Sequence, residues 1–159
     1  MSIDIRPGTE QDVPLILGFI NELAEYEKLS HAVVATESLL REHLFGPSPA
    51  ARTLIGSLDG TPVGFALFFR SFSTFVGRPG IYLEDLFVRK SARGSGVGKA
   101  LLKAVARLAV EQNCGRLEWS VLDWNEPSIG FYKKLGAVPL DDWTMFRVTG
   151  DALQKLASE

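Results

Sequence analysis

Arg93-Gly94-Ser95-Gly96-Val97-Gly98-Lys99 is the segment best equipped for chemistry. Glycines at 94, 96 and 98 remove the side chains that would hold a ligand off the backbone. The apolar pattern that follows makes this loop the entrance to a helix. The first amides of such a helix have no internal acceptor and sit at the positive end of its dipole, so they can hold a phosphate. Arg93 and Lys99 add cations. Two phosphate binders are excluded by spacing. A P-loop needs one more residue between its first glycine and Gly-Lys, then Ser or Thr; here Gly94 is too close to Gly98 and residue 100 is alanine. A dinucleotide fingerprint needs glycine where Lys99 stands, near the first strand of a βαβ unit. Arg93-x-x-Gly96-x-Gly98 remains, and read alone it is equally a glycine-rich turn with no ligand.

Trp124-Asn125-Glu126-Pro127-Ser128-Ile129-Gly130-Phe131-Tyr132 is a second constellation. Asn125 suits an N-cap and Pro127 a first helical turn. Asn125, Ser128, Ile129 and Tyr132 then fall at i, i+3, i+4 and i+7 and share one stripe. Read singly, Asn125 is a cap and Tyr132 a rim aromatic. In Tyr82-Leu83-Glu84-Asp85-Leu86-Phe87-Val88, adjacent carboxylates stand inside an apolar strand. Neighbours on a regular strand point to opposite faces, and an unpaired buried carboxylate is costly. The expectation is a salt bridge to a helical Arg or Lys for Asp85, and a cleft or water for Glu84.

In chain order these segments resemble the GNAT acetyltransferase superfamily. Ile5-Arg6-Pro7, Glu22-Leu23-Ala24-Glu25-Tyr26-Glu27, Tyr82–Val88 and Trp124–Tyr132 together look like its spermidine/spermine-type diamine and thialysine acetyltransferases. The resemblance spans nearly the whole chain, from Ile5 to the last helix. It implies an α/β (mixed α+β) fold: a twisted, mostly antiparallel mixed sheet of six to seven strands with helices on both faces. It implies acetyl-CoA as co-substrate and direct acetyl transfer to a primary amine of a small polyamine or thialysine-like acceptor.

Carried over by position, the backbone of Leu86, Phe87 and Val88 would run along the pantetheine arm. Arg93, Gly94, Ser95, Gly96, Val97, Gly98 and Lys99 would hold the phosphates. Asn125, Glu126, Pro127, Ser128 and Tyr132 would complete the cofactor site. Tyr132 would be the general acid, and Glu84 would handle the acceptor's proton, directly or through water. Tyr26, Glu27, Glu84, Glu118, Trp119 and Ser120 would line the amine pocket. A homodimer is implied as well. Phe75 stands where diamine enzymes can carry Trp, Glu118-Trp119-Ser120 replaces a more apolar strand, and Phe45–Ala51 is short. These departures touch the choice of acceptor. The alternatives are an N-acetyltransferase for a protein, peptide or antibiotic amine, and an acyl-CoA-binding module without catalysis.

The elements that must position these residues follow from periodicity. Ile3–Arg6 reads as a strand. Thr9–Tyr26 reads as a helix with a Thr9/Asp12 capping box, and Thr36–Leu44 as a helix with Leu39, Leu40 and His43 inward. Thr53–Leu58 and Pro62–Ser71 flank Asp59-Gly60, a hairpin turn. Gly80–Val88 is the next strand, after a turn at Gly77–Gly80. Ala100–Glu111 is a helix, Arg116–Leu122 a strand, Asn125–Leu135 a helix, Trp143–Val148 a last strand and Asp151–Ala157 a last helix.

The chain has 159 residues, which suits one domain over 1–159. Lys and Arg total 17 against 19 Asp and Glu. That balance argues against a non-specific nucleic-acid binder, which would normally show a basic domain or stripe. One cysteine, Cys114, excludes an internal disulfide, and no metal-ligand spacing is visible. No apolar run is long enough to span a bilayer, and Met1–Pro7 carries no secretory pattern. The expectation is a cytoplasmic domain without membrane or nucleic-acid partners.

Overall fold

The computed structural model describes residues 1–159, which fall into two compact units, Met1–Leu122 and Asp123–Glu159. In the first unit, β1 (Ile3–Pro7), β2 (Arg52–Leu58), β3 (Thr61–Ser73), β4 (Arg78–Val88) and β5 (Leu117–Trp119) form a five-stranded sheet in that order. β1 to β4 are antiparallel neighbours. β5 joins β4 in parallel, after the crossover helix α3 (Val97–Glu111). Helices α1 (Val13–Tyr26) and α2 (Glu37–Phe45) connect β1 to β2. The mixed, mostly antiparallel sheet is as expected; the count of six to seven strands is corrected to five.

Two neighbours on β2 show that both faces are covered. Ile55 packs with Ile16 and Phe19 of α1, and with Phe65 and Phe87. Gly56 faces the other way, where a Cβ would lie 2.8 Å from Val97 Cγ1 of α3. The Phe19 and Phe65 rings stack with centroids 5.4 Å apart. Burying such rings stabilises by roughly 2–3 kcal/mol each.

Local chemistry sets the connections. Asp59 and Gly60 both have positive φ, 50° and 84°, as the hairpin turn between β2 and β3 requires. A single 3-10 turn, Glu10–Asp12, precedes α1, so the helix starts later than Thr9. The Asp12 carboxylate accepts from the Thr9 amide at 2.7 Å and from both Arg6 nitrogens at 2.7 and 2.8 Å. These bonds fasten the end of β1 to the start of α1 and hold the Asp12 carboxyl down at about 2. Thr36 caps α2, accepting from the Leu39 amide at 3.2 Å. The inward face of α2 is corrected: Leu44 is buried and Leu40 half-buried, while Leu39 and His43 are exposed. Leu40 and Leu44 are one turn apart, and that pair won the inner position.

The second unit contains α4 (Glu126–Lys134) and α5 (Gly150–Ser158). The strand expected at Trp143–Val148 is absent; Trp143, Met145 and Phe146 are at least 72% exposed. An extended segment becomes a strand only beside another edge, and none pairs with this one. The strand expected over Arg116–Leu122 shrinks to Leu117–Trp119 because only Ile81–Leu83 of β4 pair with it.

Candidate active site

β3 and β4 pair without interruption from Ser73/Arg78 to Phe68/Leu83 and then slip. Leu67 lies opposite Asp85, which leaves Glu84 as an extra residue on β4. Such a bulge bends its strand and re-aims the side chains beside it. Glu84 is exposed and Asp85 half-buried. β5 stops at the same level, its last pair being Leu83 with Trp119. From Glu84 to Val88, one edge of β4 therefore has no strand beside it.

The salt bridge expected for Asp85 is corrected: no lysine or arginine pairs with it. Its charged neighbours are other acids. Burial, then the charges of Glu84 and Glu27, push the Asp85 carboxyl up to about 7. Glu27 is the C-cap of α1 and is itself shifted upward by burial. A helix C-terminus carries partial negative charge, so this corner favours a bound cation.

The glycine loop opens α3. Gly94 and Gly96 have φ of 81° and 96°, left-handed values that side chains resist, and Gly96 is the helix N-cap. A Cβ on Gly98 would lie 3.5 Å from Val88 Cγ2, so loop and strand end lie together. Arg93 turns toward the end of α1. Its Nε donates to the Val88 carbonyl at 3.1 Å, and its guanidinium carbon lies 4.5 Å from the Tyr26 ring centre and 5.9 Å from that of Phe87. Arg89 makes a second tie. Its Nε and Nη2 donate to the Glu22 carboxylate at 3.0 Å, and it lies 4.8 Å from the Phe19 ring centre.

The structure thus brings Tyr26, Glu27, Glu84, Phe87, Val88 and Arg93 together around the outer end of β4. Glu118 pairs in register with Tyr82, whose hydroxyl lies 2.7 Å from Ser120 Oγ, so the β5 residues lie beside that strand. Lys99 is exposed in the first turn of α3. In the second unit, Asn125 is buried and caps α4, its Oδ1 accepting from the Ser128 amide at 3.4 Å. Tyr132 stands in the last turns of α4, its ring centroid 5.6 Å from that of Phe131. Gly136 ends the helix at φ 93°. Sequence reasoning missed Asp85 as a member of the acidic group and Arg93 as a partner of Tyr26. The doubled carboxylate in an apolar strand was a signal for the first. Nothing local signals the second.

The chain belongs to the acetyltransferase (GNAT) family, whose profile matches residues 20–137. It is an N-acetyltransferase that uses acetyl-CoA as co-substrate. It is 40% identical to the thialysine N-epsilon-acetyltransferase of Bos taurus, over 98% of this chain and 97% of that protein. It is 36% identical to the L-ornithine N5-acetyltransferase of Arabidopsis thaliana, over 96% of this chain and 86% of that one. An integron cassette protein from the mobile metagenome of V. cholerae has a similar structure, with TM-score 0.82 and 30% identity, over all of this chain and 99% of the other. No helix is long and apolar enough to cross a membrane.

Proposed function

We propose that the chain acetylates a primary amine of a small, multiply charged acceptor of the polyamine or thialysine type. The observation that carries this reading is the acidic group of Glu27, Glu84 and Asp85 at the bulge, unbridged by lysine or arginine. A second ammonium on the acceptor offers the counter-charge that Asp85 lacks. Relatives named for thialysine and ornithine, both amino acids with a side-chain amine, support this class.

The chemistry assigns the roles. An alkyl ammonium has a pKa of about 10.4, so only about one molecule in a thousand is neutral at pH 7.4, and deprotonation costs about 4 kcal/mol. Glu84, exposed beside the half-buried Asp85, leads that proton to bulk water. The outward edge of Leu86, Phe87 and Val88 offers backbone groups to the amides of the pantetheine arm, and an amide there stabilises the thioester oxygen as it gains charge. Gly94 to Lys99 hold the phosphates at the head of α3, with Arg93 beside them. By resemblance to the family, Asn125, Glu126, Pro127 and Ser128 serve the cofactor, and Tyr132 protonates the leaving thiolate. Tyr26, Glu27, Glu118, Trp119 and Ser120 bound the acceptor. The amine attacks the thioester carbonyl directly, so no enzyme nucleophile is required.

Two finer readings come from the sequence and its family resemblance instead. The enzyme is a cytoplasmic homodimer, in which the exposed apolar residues Trp143, Met145 and Phe146 serve the interface. A protein, peptide or antibiotic amine is the competing acceptor class. Steady-state thiol release from acetyl-CoA, measured with thialysine, ornithine, spermidine, spermine and a lysine peptide, tests the proposal. The highest kcat/KM belongs to one of the four small amines. Turnover with the peptide alone, or with none of the panel, would sink it.

A further inference from the structure

A groove of about 670 Å³ runs between β1 and α3, on the sheet face away from α1. It extends along α3 from Gly96 to Glu111, roughly 22 Å at 1.5 Å per residue. Ile3 and Ile5 of β1 and Leu54 of β2 form its floor. Ile3 is 38% exposed, and its Cδ1 would lie 3.4 Å from a Cβ on Gly96. Ala100 and Ala104, one helical turn apart, leave the groove open where larger side chains would close it.

The rim is cationic. Lys99, Lys103 and Arg107 recur every fourth residue on α3, so they project along one line. All are exposed, and none forms a salt bridge. Like charges at this spacing weaken a helix, so folding gives no reason for the stripe. It is a local excess on a chain whose formal charge is −2. Glu111 closes the far end with the opposite sign.

The third observation is the sheet edge. β1 is the outer strand and has no neighbour beyond it. The Gly8 amide donates to the Thr53 carbonyl at 2.9 Å, and the Ser2 carbonyl accepts from the Asp59 amide at 2.7 Å. Antiparallel pairing alternates, so even-numbered residues of β1 bond to β2 and Ile3 and Ile5 turn their N–H and C=O outward. The same two residues send their side chains into the groove. A strand added here would lie about 4.8 Å from β1 and present every second side chain to the α3 face.

We propose that this groove binds an extended acidic peptide, which pairs with the free edge of β1 and sets its carboxylates along Lys99, Lys103 and Arg107. Edge pairing supplies the backbone bonds, Ile3 and Ile5 take apolar side chains between the acids, and the basic rim selects charge. The open backbone edge requires an extended partner, because a helix satisfies its own amides. Glu111 limits the acidic stretch to the Lys99–Arg107 end.

The test uses a fluorescein-labelled nine-residue peptide of alternating glutamate and valine, followed by fluorescence anisotropy. It binds the unaltered chain saturably, and binding weakens at least tenfold in Lys103→Glu/Arg107→Glu. That double variant keeps its acetyl-transfer rate, which shows that it is folded. The milder Lys103→Gln/Arg107→Gln gives an intermediate loss and serves if the reversal of charge prevents folding. The same peptide N-methylated at alternate residues loses binding, because it cannot pair with an edge. Absence of saturable binding, equal binding by the charge variants, or equal binding of the N-methylated peptide would overturn the proposal.

Discussion

The guanidinium carbon of Arg93 sits 4.5 Å from the centre of the Tyr26 ring. Arg93 belongs to the glycine loop that heads α3, and Tyr26 is the last residue of α1. The contact ties the proposed phosphate site to the proposed acceptor pocket through one side chain. It is reinforced from below, where the same Arg93 donates to the Val88 carbonyl. A cation over an aromatic face contributes about 0.5–2 kcal/mol, depending on how dry the pair is. In the proposed reading, Arg93 positions the acceptor wall as well as offering charge to the cofactor.

Arg93→Lys separates those two duties. Lysine keeps the charge but loses the planar group that stacks on an aromatic and reaches Val88. The KM for the amine rises about fivefold, corresponding to about 1 kcal/mol, while the KM for acetyl-CoA changes less than twofold. Arg93→Ala raises both. Initial-rate measurements with each substrate varied in turn check this. A shift confined to the KM for acetyl-CoA in Arg93→Lys would show that Arg93 serves the cofactor alone, and equal shifts would show that the two duties do not separate.

Asp85 makes stability depend on pH. Its carboxyl titrates at about 7 in the folded chain against 3.8 when unfolded. Between those values the folded state holds the extra proton, so stability falls as pH rises from about 4 to about 7. Asp85→Asn cannot ionise and escapes that loss. Urea melts will show Asp85→Asn gaining on the parent as pH rises, by about 2 kcal/mol at pH 8 relative to pH 5. Its KM for a diamine rises at pH 8, because the counter-charge is gone. A stability difference that stays constant with pH would contradict the assignment.

What the sequence revealed about this site has a physical pattern. Local signals read well: Asp59-Gly60 makes the tight turn, Thr36 caps α2, and Asn125 caps α4. The glycine loop was legible because left-handed φ at Gly94 and Gly96 leaves few other residues possible. The relations that failed were those set by distant partners. Glu84 becomes an extra residue only because β3 slips at Leu67/Phe68. Asp85 was expected to find a cation, yet α1 delivers Glu27 to it instead. Trp143–Val148 has the composition of a strand, but pairing is a property of two segments, and the sheet consists of β1 to β5 alone.

The seat of α3 on the sheet depends on a missing side chain. A Cβ at Gly56 would fall 2.8 Å from Val97 Cγ1 and 3.2 Å from Leu101 Cδ1, both in the first turns of the helix that carries the glycine loop. Overpacking of this kind costs about 1–3 kcal/mol. Gly56→Ala lowers the melting temperature by several degrees and raises the KM for acetyl-CoA more than that for the amine. An unchanged melting temperature would mean that α3 shifts freely over β2.

Asp12 acts at the acid end of the pH range. Arg6 and the Thr9 amide hold its carboxyl at about 2, below its ordinary 3.8. A depressed carboxyl contributes stability that is fully present above about pH 4 and is lost as pH falls through about 2. The contribution at neutral pH is about 2 kcal/mol. Asp12→Asn loses most of it, and its deficit against the parent shrinks as the buffer is taken from pH 6 down to pH 3. A deficit that does not narrow in acid would assign the loss to packing rather than charge.

Tyr132→Phe examines the leaving-group step. A thioester exchanged for an amide releases a thiolate, and a hydroxyl that protonates it acts only as the bond breaks. Removing such a group lowers kcat with little change in ground-state binding. Tyr132→Phe therefore reduces kcat at least a hundredfold while the dissociation constant for CoA, read by calorimetry, moves less than threefold. If affinity falls in step with turnover, Tyr132 is a cofactor contact and another group or a water protonates the thiolate. If neither changes, the residue has no part in the reaction. The calorimetric arm is needed because rate alone cannot separate a lost proton from a lost grip on the cofactor.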